Sequence, residues 1–219
     1  VLSFEGDNKS AYRILRAKKN RFGSTSEIGI YEMSSRGLRE VKNPNETFLN
    51  SNCNKMSGHA IGVSMEGIRP LTLEVQALVS AAVYGTPQRS SNGFNSKRLN
   101  MLLAVLEKRA GIKLSDKDVF LNITGGVKSE DPSLDLAVIS AILSSYQDTP
   151  LNKKICFASE IGLSGELRPV VKLEKRINEA EKLGYEVFVT SNFKNDFTQK
   201  KGIKILELEK IGSLITNLF

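Results

Sequence analysis

Between Asn95 and Gly111 the chain spells out both ends of a helix. Leu99, Leu102, Leu103 and Leu106 fall on one face, Asn95 or Ser96 can cap the start, and Gly111 ends it. A 15-residue helix over Ser96–Ala110 with a single apolar stripe must bury that stripe against another layer. The flanking segments supply one. Leu71, Leu73, Val75, Ala77 and Val79 alternate with Thr72, Glu74, Gln76 and Leu78, which is largely strand period, and Asp118–Thr124 is rich in β-formers. Downstream, a second helix is predicted over Pro132–Tyr146, with Asp131 as N-cap and Pro132 at the first helical position. Ile155–Arg168 suggests a hairpin turning near Ser164-Gly165, and Leu173–Leu183 a third helix ending at Gly184. Glu186–Thr190 and Ile203–Leu208 complete the predicted strands, and the tail from Ile211 reads as helix. The expected class is α+β.

Composition narrows the field. Apolar residues make up 40% and charged residues 25% of 219 positions, which excludes a wholly disordered, collagen-like or disulfide-scaffold chain. No apolar run approaches the roughly 20 residues of a membrane span, and Phe4-Glu5-Gly6-Asp7 interrupts any secretory pattern at the start. Cys53 and Cys156 are far apart and form no CxxC, so both are expected as reduced thiols in a cytoplasmic protein with no metal site and no membrane partner. His59 is the single histidine. Lys and Arg outnumber Asp and Glu by 31 to 24, a net charge of +7 that favours polyanions, although ordinary solubilising charge gives the same count.

Residues 1–49 read as short strands, with Ala11–Ala17 and Ile28–Met33 extended. Val1-Leu2-Ser3-Phe4 looks like a strand already under way, the expectation for a piece of a longer protein. Polar residues 50–57 are the expected linker, and 58–219 the second domain. From Lys9 to Arg21 there are six basic residues and no acidic one. Within Lys19-Asn20-Arg21-Phe22-Gly23, a Lys and an Arg two apart on extended backbone point the same way, and Gly23 permits a tight turn that holds both forward. Such a pair suits a phosphate, the Arg as a fork of donors and the Lys as a point charge. A solvated basic turn fits the same residues.

That five-residue signature, together with Tyr12–Ala17, Glu27–Met33 and Arg98–Glu107, resembles the RadA (Sms) family of bacterial DNA repair proteins, and the likeness continues essentially to the C-terminus. The resemblance implies an N-terminal zinc finger, a RecA-like ATPase core and a C-terminal domain similar to the Lon protease domain. On this reading 1–49 are the last strands of the core with the Lys19–Gly23 motif, and 58–219 form the Lon-like domain, similar to domain two of the fifth small-subunit ribosomal protein. No GxxxxGK[ST] occurs, so ATP hydrolysis is not expected of this chain alone. For the full-length protein the resemblance implies ATP and Mg, zinc in the upstream finger, a homo-hexamer, single-stranded and branched DNA, and the recombinase RecA as partners. Lys19 and Arg21 are then expected to reach the nucleotide of a neighbouring subunit, with Asn20, Phe22 and Gly23 completing the motif. DNA binding is the alternative for the same residues.

Asp131-Pro132-Ser133 resembles the Lon pattern in which a nucleophilic serine follows Gly-Pro at a helix start. In Lon a lysine five residues beyond a strand-ending proline activates that serine. Here the residue five beyond Pro169 is Glu174, and Asp131 replaces the glycine. A carboxylate without a histidine relay is a weak activator of a hydroxyl. The expectation is a degenerate protease site at Ser133 and Glu174, with a Lon-type serine peptidase as the rival reading.

Arg89, Lys97, Arg98, Lys108, Arg109 and Lys113 fall within 25 residues against Glu107 alone. Gly85–Gly93 is expected as a flexible loop before the helix, able with these cations to track a phosphate backbone. Arg89, Lys97, Arg98, Lys108 and Arg109 are the DNA-binding candidates, although a solvated helix face or subunit salt bridges account for them equally. Gly125-Gly126 is expected to permit close approach beside the former active site.

Overall fold

The computed structural model describes residues 1–5, 12–22, 28–35, 37–41, 56–83, 85–192 and 202–219. The first strands, β1 (Leu2–Glu5), β2 (Tyr12–Ala17), β3 (Ile28–Ser34) and β4 (Gly37–Glu40), form an antiparallel meander in the order β1-β2-β3-β4. Ile14 lies opposite Ile30, and Ile30 is buried as part of the main core. Leu2, Phe4, Met33 and Leu38 stay exposed. The expected linker lies outside the described residues apart from Met56 and Ser57.

Next come β5 (His59–Glu66), β6 (Arg69–Ala81), β7 (Arg89–Asn92), α1 (Ser96–Ala110) and β8 (Lys117–Ile123). A 3₁₀ turn at Pro132–Leu134 leads into α2 (Asp135–Tyr146). Then follow β9 (Ile155–Ala158), β10 (Glu160–Ile161), β11 (Leu167–Arg168), α3 (Leu173–Lys182), β12 (Val187–Ser191), β13 (Lys204–Leu208) and α4 (Ile211–Leu218). Seven strands make one mixed sheet in the order β13-β12-β9-β5-β6-β8-β7. The centre, β5-β6-β8, is antiparallel, and both flanks are parallel.

Helix α2 packs on β5, β6 and β9, and every residue from Asp135 to Ser144 is buried. A helix enclosed on all sides needs apolar residues all round, and its Leu, Ala, Val and Ile content meets that. Gly62 of β5 makes the approach possible, since a Cβ there would lie 2.5 Å from Leu134 Cδ2 and 3.0 Å from Ala137 Cβ. Helix α3 contributes Leu173, Ile177 and Ala180 to a second cluster with Val63, Cys156, Ala158, Phe188 and Ile203. Burial pushes the Cys156 thiol upward, away from the reactive thiolate form.

The helix expected at Ser96–Ala110 is present with those bounds: Asn95 Oδ1 accepts from the amides of Lys97 and Arg98, and Gly111 adopts φ 70°. Three expectations need correction. Arg89–Asn92 is not loop but an edge strand, parallel to β8, with Arg89 opposite Val119. Its Ser and Asn residues carry little β preference, and the ladder offered by β8 overrides them. The 155–168 segment is not one hairpin: β9 joins the main sheet in parallel, and only β10 and β11 form the antiparallel pair. At 132–146 the α-helix begins three residues late, after a 3₁₀ turn that Asp131 caps through Ser133 N at 3.0 Å. Strand β5 lies outside the predicted strands, although Ile61, Val63 and Met65 alternate with Gly62, Ser64 and Glu66 at strand period.

Candidate functional site

The turn after β8 carries Asp131 and Ser133 to the sheet, beside Val63 of β5. Ser133 is fully buried. Its Oγ donates to Val63 O at 3.1 Å and accepts from Arg176 Nη1 at 2.7 Å. Arg176 is also fully buried, and the same Nη1 donates to Val63 O at 2.6 Å and pairs with Asp131 Oδ2 at 2.8 Å. Arg176 Nε donates to Val171 O at 3.1 Å. Asp131 Oδ2 accepts from Met65 N at 2.6 Å. Burial pushes the Asp131 carboxyl upward, but Arg176 and the amides of Ser133 and Met65 outweigh it and hold the group below its usual value.

Ser133 and Glu174, the residues of the expected degenerate site, are not brought together. Glu174 is exposed, and the side chain that α3 presents to Ser133 is Arg176, two positions on. The reason lies in the helix. The inward stripe runs Leu173, Arg176, Ile177, Ala180, and one residue off that stripe turns a side chain about 100° away. The signal was available: Arg176 is three after Leu173 and four before Ala180. Lys172 and Lys175 do not reach Ser133 either: Lys172 Nζ donates to Gly67 O at 2.9 Å, and Lys175 is exposed. A guanidinium stays protonated at any working pH, so it cannot take a proton from Ser133. This arrangement holds a serine shut rather than activating it. His59 sits elsewhere, with Nδ1 2.9 Å from Glu74 Oε1.

A second arginine is absorbed into the same region. Arg98 of α1 forms a forked pair with the buried Asp135 carboxylate, Nε lying 3.1 and 3.2 Å from its two oxygens and Nη2 contacting Oδ2. Arg98 Nη2 also donates to Ile161 O at 2.7 Å, while Ile161 N donates to Asp135 Oδ2 at 3.0 Å. Arg98 is therefore withdrawn from the candidate DNA surface. Its guanidinium is needed by a carboxylate that has no access to water.

Arg89, Lys97, Lys108 and Arg109 are exposed, as a polyanion surface requires. They come from different elements: Arg89 from edge strand β7, Lys97 from the first turn of α1, Lys108 and Arg109 from its last turn. The last pair also complements the negative end of the helix dipole. Arg109 packs against the hairpin turn, where a Cβ on Gly165 would meet its Cβ at 3.1 Å.

Lys18–Phe22 form an exposed turn leaving β2. The amides of Lys18 and Lys19 donate to Val1 O at 2.8 and 3.3 Å, tying the strand end to β1. Asn20 Oδ1 accepts from Phe22 N at 3.1 Å, which bends the chain between the two cations. Phe22 is 98% exposed. Lys19 and Arg21 project to solvent with no ion-pair partner among the described residues, and Gly23 lies outside those residues. Gly125 and Gly126 sit in a 3₁₀ turn at φ 77° and 67°, a left-handed conformation that suits glycine; Gly125 is half-buried and Gly126 exposed. Among the described residues no group of three His, Cys, Asp or Glu side chains is disposed to hold a metal. No helix among them is long and apolar enough to cross a membrane.

Residues 75–193 match the family described as subunit ChlI of Mg-chelatase. Over its full length the chain is similar to curated proteins called DNA repair protein RadA. That of Streptococcus pneumoniae (strain ATCC BAA-255 / R6) is 47% identical over 220 residues, which is 100% of this chain and 52% of that protein. That of Bacillus subtilis (strain 168) is 44% identical over 216 residues, 98% of this chain and 47% of that protein. That of Listeria monocytogenes serovar 1/2a is 44% identical with the same coverage. The chain spans about half the length of the curated relatives it matches.

Proposed function

The chain belongs to the RadA family and, through residues 75–193, to the family described as subunit ChlI of Mg-chelatase, and from that premise we propose that it is the C-terminal part of an ATP-dependent DNA repair motor. The motor acts in homologous recombination, assisting RecA in branch migration on single-stranded DNA. Residues 1–49 close the RecA-like ATPase core, and the Lon-like domain at 58–219 serves as the platform of a homo-hexamer. ATP and Mg are held by the upstream half, and zinc by its N-terminal finger. Lys19 and Arg21 reach the nucleotide of the adjacent subunit and stabilise charge on the transferring phosphoryl group. Arg89, Lys97, Lys108 and Arg109 face DNA. The Lon-like domain is not a peptidase.

The observation that carries this reading is a contrast in one molecule. Lys19 and Arg21 stand exposed on an ordered turn, while the serine of the protease-like site is sealed beneath Arg176. The test is ATP turnover by the full-length protein, with and without single-stranded DNA, comparing wild type with Arg21→Ala. The expected result is a loss of about 10³-fold in turnover with ATP binding retained. Mixing the variant with subunits mutated in the upstream Walker lysine recovers activity if the arginine acts in trans. Unchanged turnover and unchanged DNA stimulation would overturn the assignment and leave the turn as a DNA or packing surface.

A further inference from the structure

A cleft of about 650 Å³ lies on the outer side of the Asp131–Arg176 pair. Both sheets wall it. Arg16 comes from β2, Glu66 from the end of β5, Gly67 from the turn after it, Lys128 and Asp131 from the segment before α2, Lys172 from the residue before α3, and Arg176 from α3. Its volume falls within the usual range for small-ligand sites.

Four features of the cleft favour an anion. The N-terminus of α3 lies at its wall, with Val171 and Lys172 in the lining and no side chain capping the helix, so the positive end of the helix dipole lies on that side. Arg176 is fully buried, and its Nη2 has no hydrogen-bond partner although Nε and Nη1 are satisfied. Lys172 is held at φ 54°, a left-handed conformation that a non-glycine residue adopts at a cost, and its Nζ reaches over to Gly67 O. Lys128 is exposed at the rim. The acidic lining does not cancel these donors: Glu66 is paired with Arg16 at 2.8 Å, Asp131 with Arg176, and Glu130 is exposed to solvent.

We propose that this cleft binds a phosphate group, held by Lys128, Lys172, the α3 N-terminus and the unsatisfied edge of Arg176. Cationic donors from separate elements lining one cleft suit an oxyanion. Arg16, on the strand that runs into Lys19-Asn20-Arg21, also lines the cleft, so the site lies beside the sheet that carries that motif. The phosphate belongs either to a small phosphorylated compound or to a nucleic-acid backbone.

The test is amide NMR of the 219-residue chain, titrated separately with inorganic phosphate and with a short single-stranded oligonucleotide, against sodium chloride of matched ionic strength. Saturable shifts are expected at residues 172–174 and 128, absent with chloride, and at least tenfold weaker in the double variant Lys128→Met, Lys172→Gly. Glycine suits the left-handed position, so this variant keeps the fold, and retained amide dispersion verifies that. Shifts from phosphate alone identify a small phosphorylated ligand, and tighter binding of the oligonucleotide at the same residues identifies a nucleic-acid backbone. No saturable shift with either, or equal shifts in the double variant, overturns the proposal. No ATP is turned over in this measurement, so its failure leaves the motor assignment standing.

Discussion

Arg176 and Arg21 carry the same group into opposite surroundings. Arg176 lies on the buried stripe of α3, with a carboxylate, a hydroxyl and two backbone carbonyls around its guanidinium. Arg21 projects from an exposed turn whose shape is set by Asn20 and by the β1–β2 pairing. Inside, a permanent positive charge is only tolerable where it is matched, so the match is structural and the cost of removing it falls on folding. Outside, water solvates the charge, so its removal hardly touches stability and acts on whatever partner approaches. Sequence alone ranks the two the other way. Lys19-Asn20-Arg21 stands out as a basic motif, whereas Arg176 is one of several cations in Lys172–Lys182.

The sharpest way to break the contrast is Arg176→Ala. It leaves Asp131 buried without its partner and is expected to cost about 3–5 kcal/mol in urea unfolding. A loss below about 1 kcal/mol would mean the pair does not hold the site together. Arg98→Ala comes next, at about 2–4 kcal/mol, because Asp135 is fully buried while the Arg98 side chain is 24% exposed. Arg98→Lys is expected to recover only part of this, since an ammonium cannot fork onto the carboxylate and also reach Ile161 O. If Arg98→Ala weakened DNA binding while leaving the unfolding curve unchanged, the arginine would return to the DNA surface.

A pH series sharpens the same point. The folded-state value of Asp131 is depressed, so its ion pair stabilises the protein above the unfolded carboxylate value of about 3.9 and is lost as pH falls through the lower folded value. The stability gap between wild type and Asp131→Asn should therefore be full at neutral pH and close below about pH 4. A gap independent of pH would mean Asp131 acts as a cap alone. At the small end, Arg21→Ala is expected to change stability by no more than about 0.5 kcal/mol, measured on the same urea curves. Smallest of all, a hydroxyl-reactive phosphonate should leave Ser133 unlabelled, read by intact mass. Labelling would show that the buried hydroxyl is accessible and reactive after all.

Much of the secondary structure was legible because it rests on local rules. The cap at Asn95, the glycine at 111, Pro132 behind Asp131 and the leucine spacing of α1 each act within a few residues, and each is found where those rules put it. Strand β7 was not legible, because Arg89-Ser90-Ser91-Asn92 is extended only by virtue of β8 beside it. Nor was the partner of Ser133. The proline count pointed to Glu174, but the orientation of α3 is set by which residues bury against Val63, Cys156 and Phe188.

The helices, most strands and the exposed basic turn follow from residues close together in the chain, since local propensity, capping and charge density do not depend on distant neighbours. Which cations face solvent and which are locked into buried pairs depends on long-range packing. Arg98 and Arg89 look alike in the sequence, yet one is locked to Asp135 and the other faces solvent, because burial of a carboxylate 37 residues away demands a guanidinium. The same holds at Ser133, which looks like a nucleophile in sequence and is silenced by an arginine 43 residues on, brought there by the packing of α3 on the sheet.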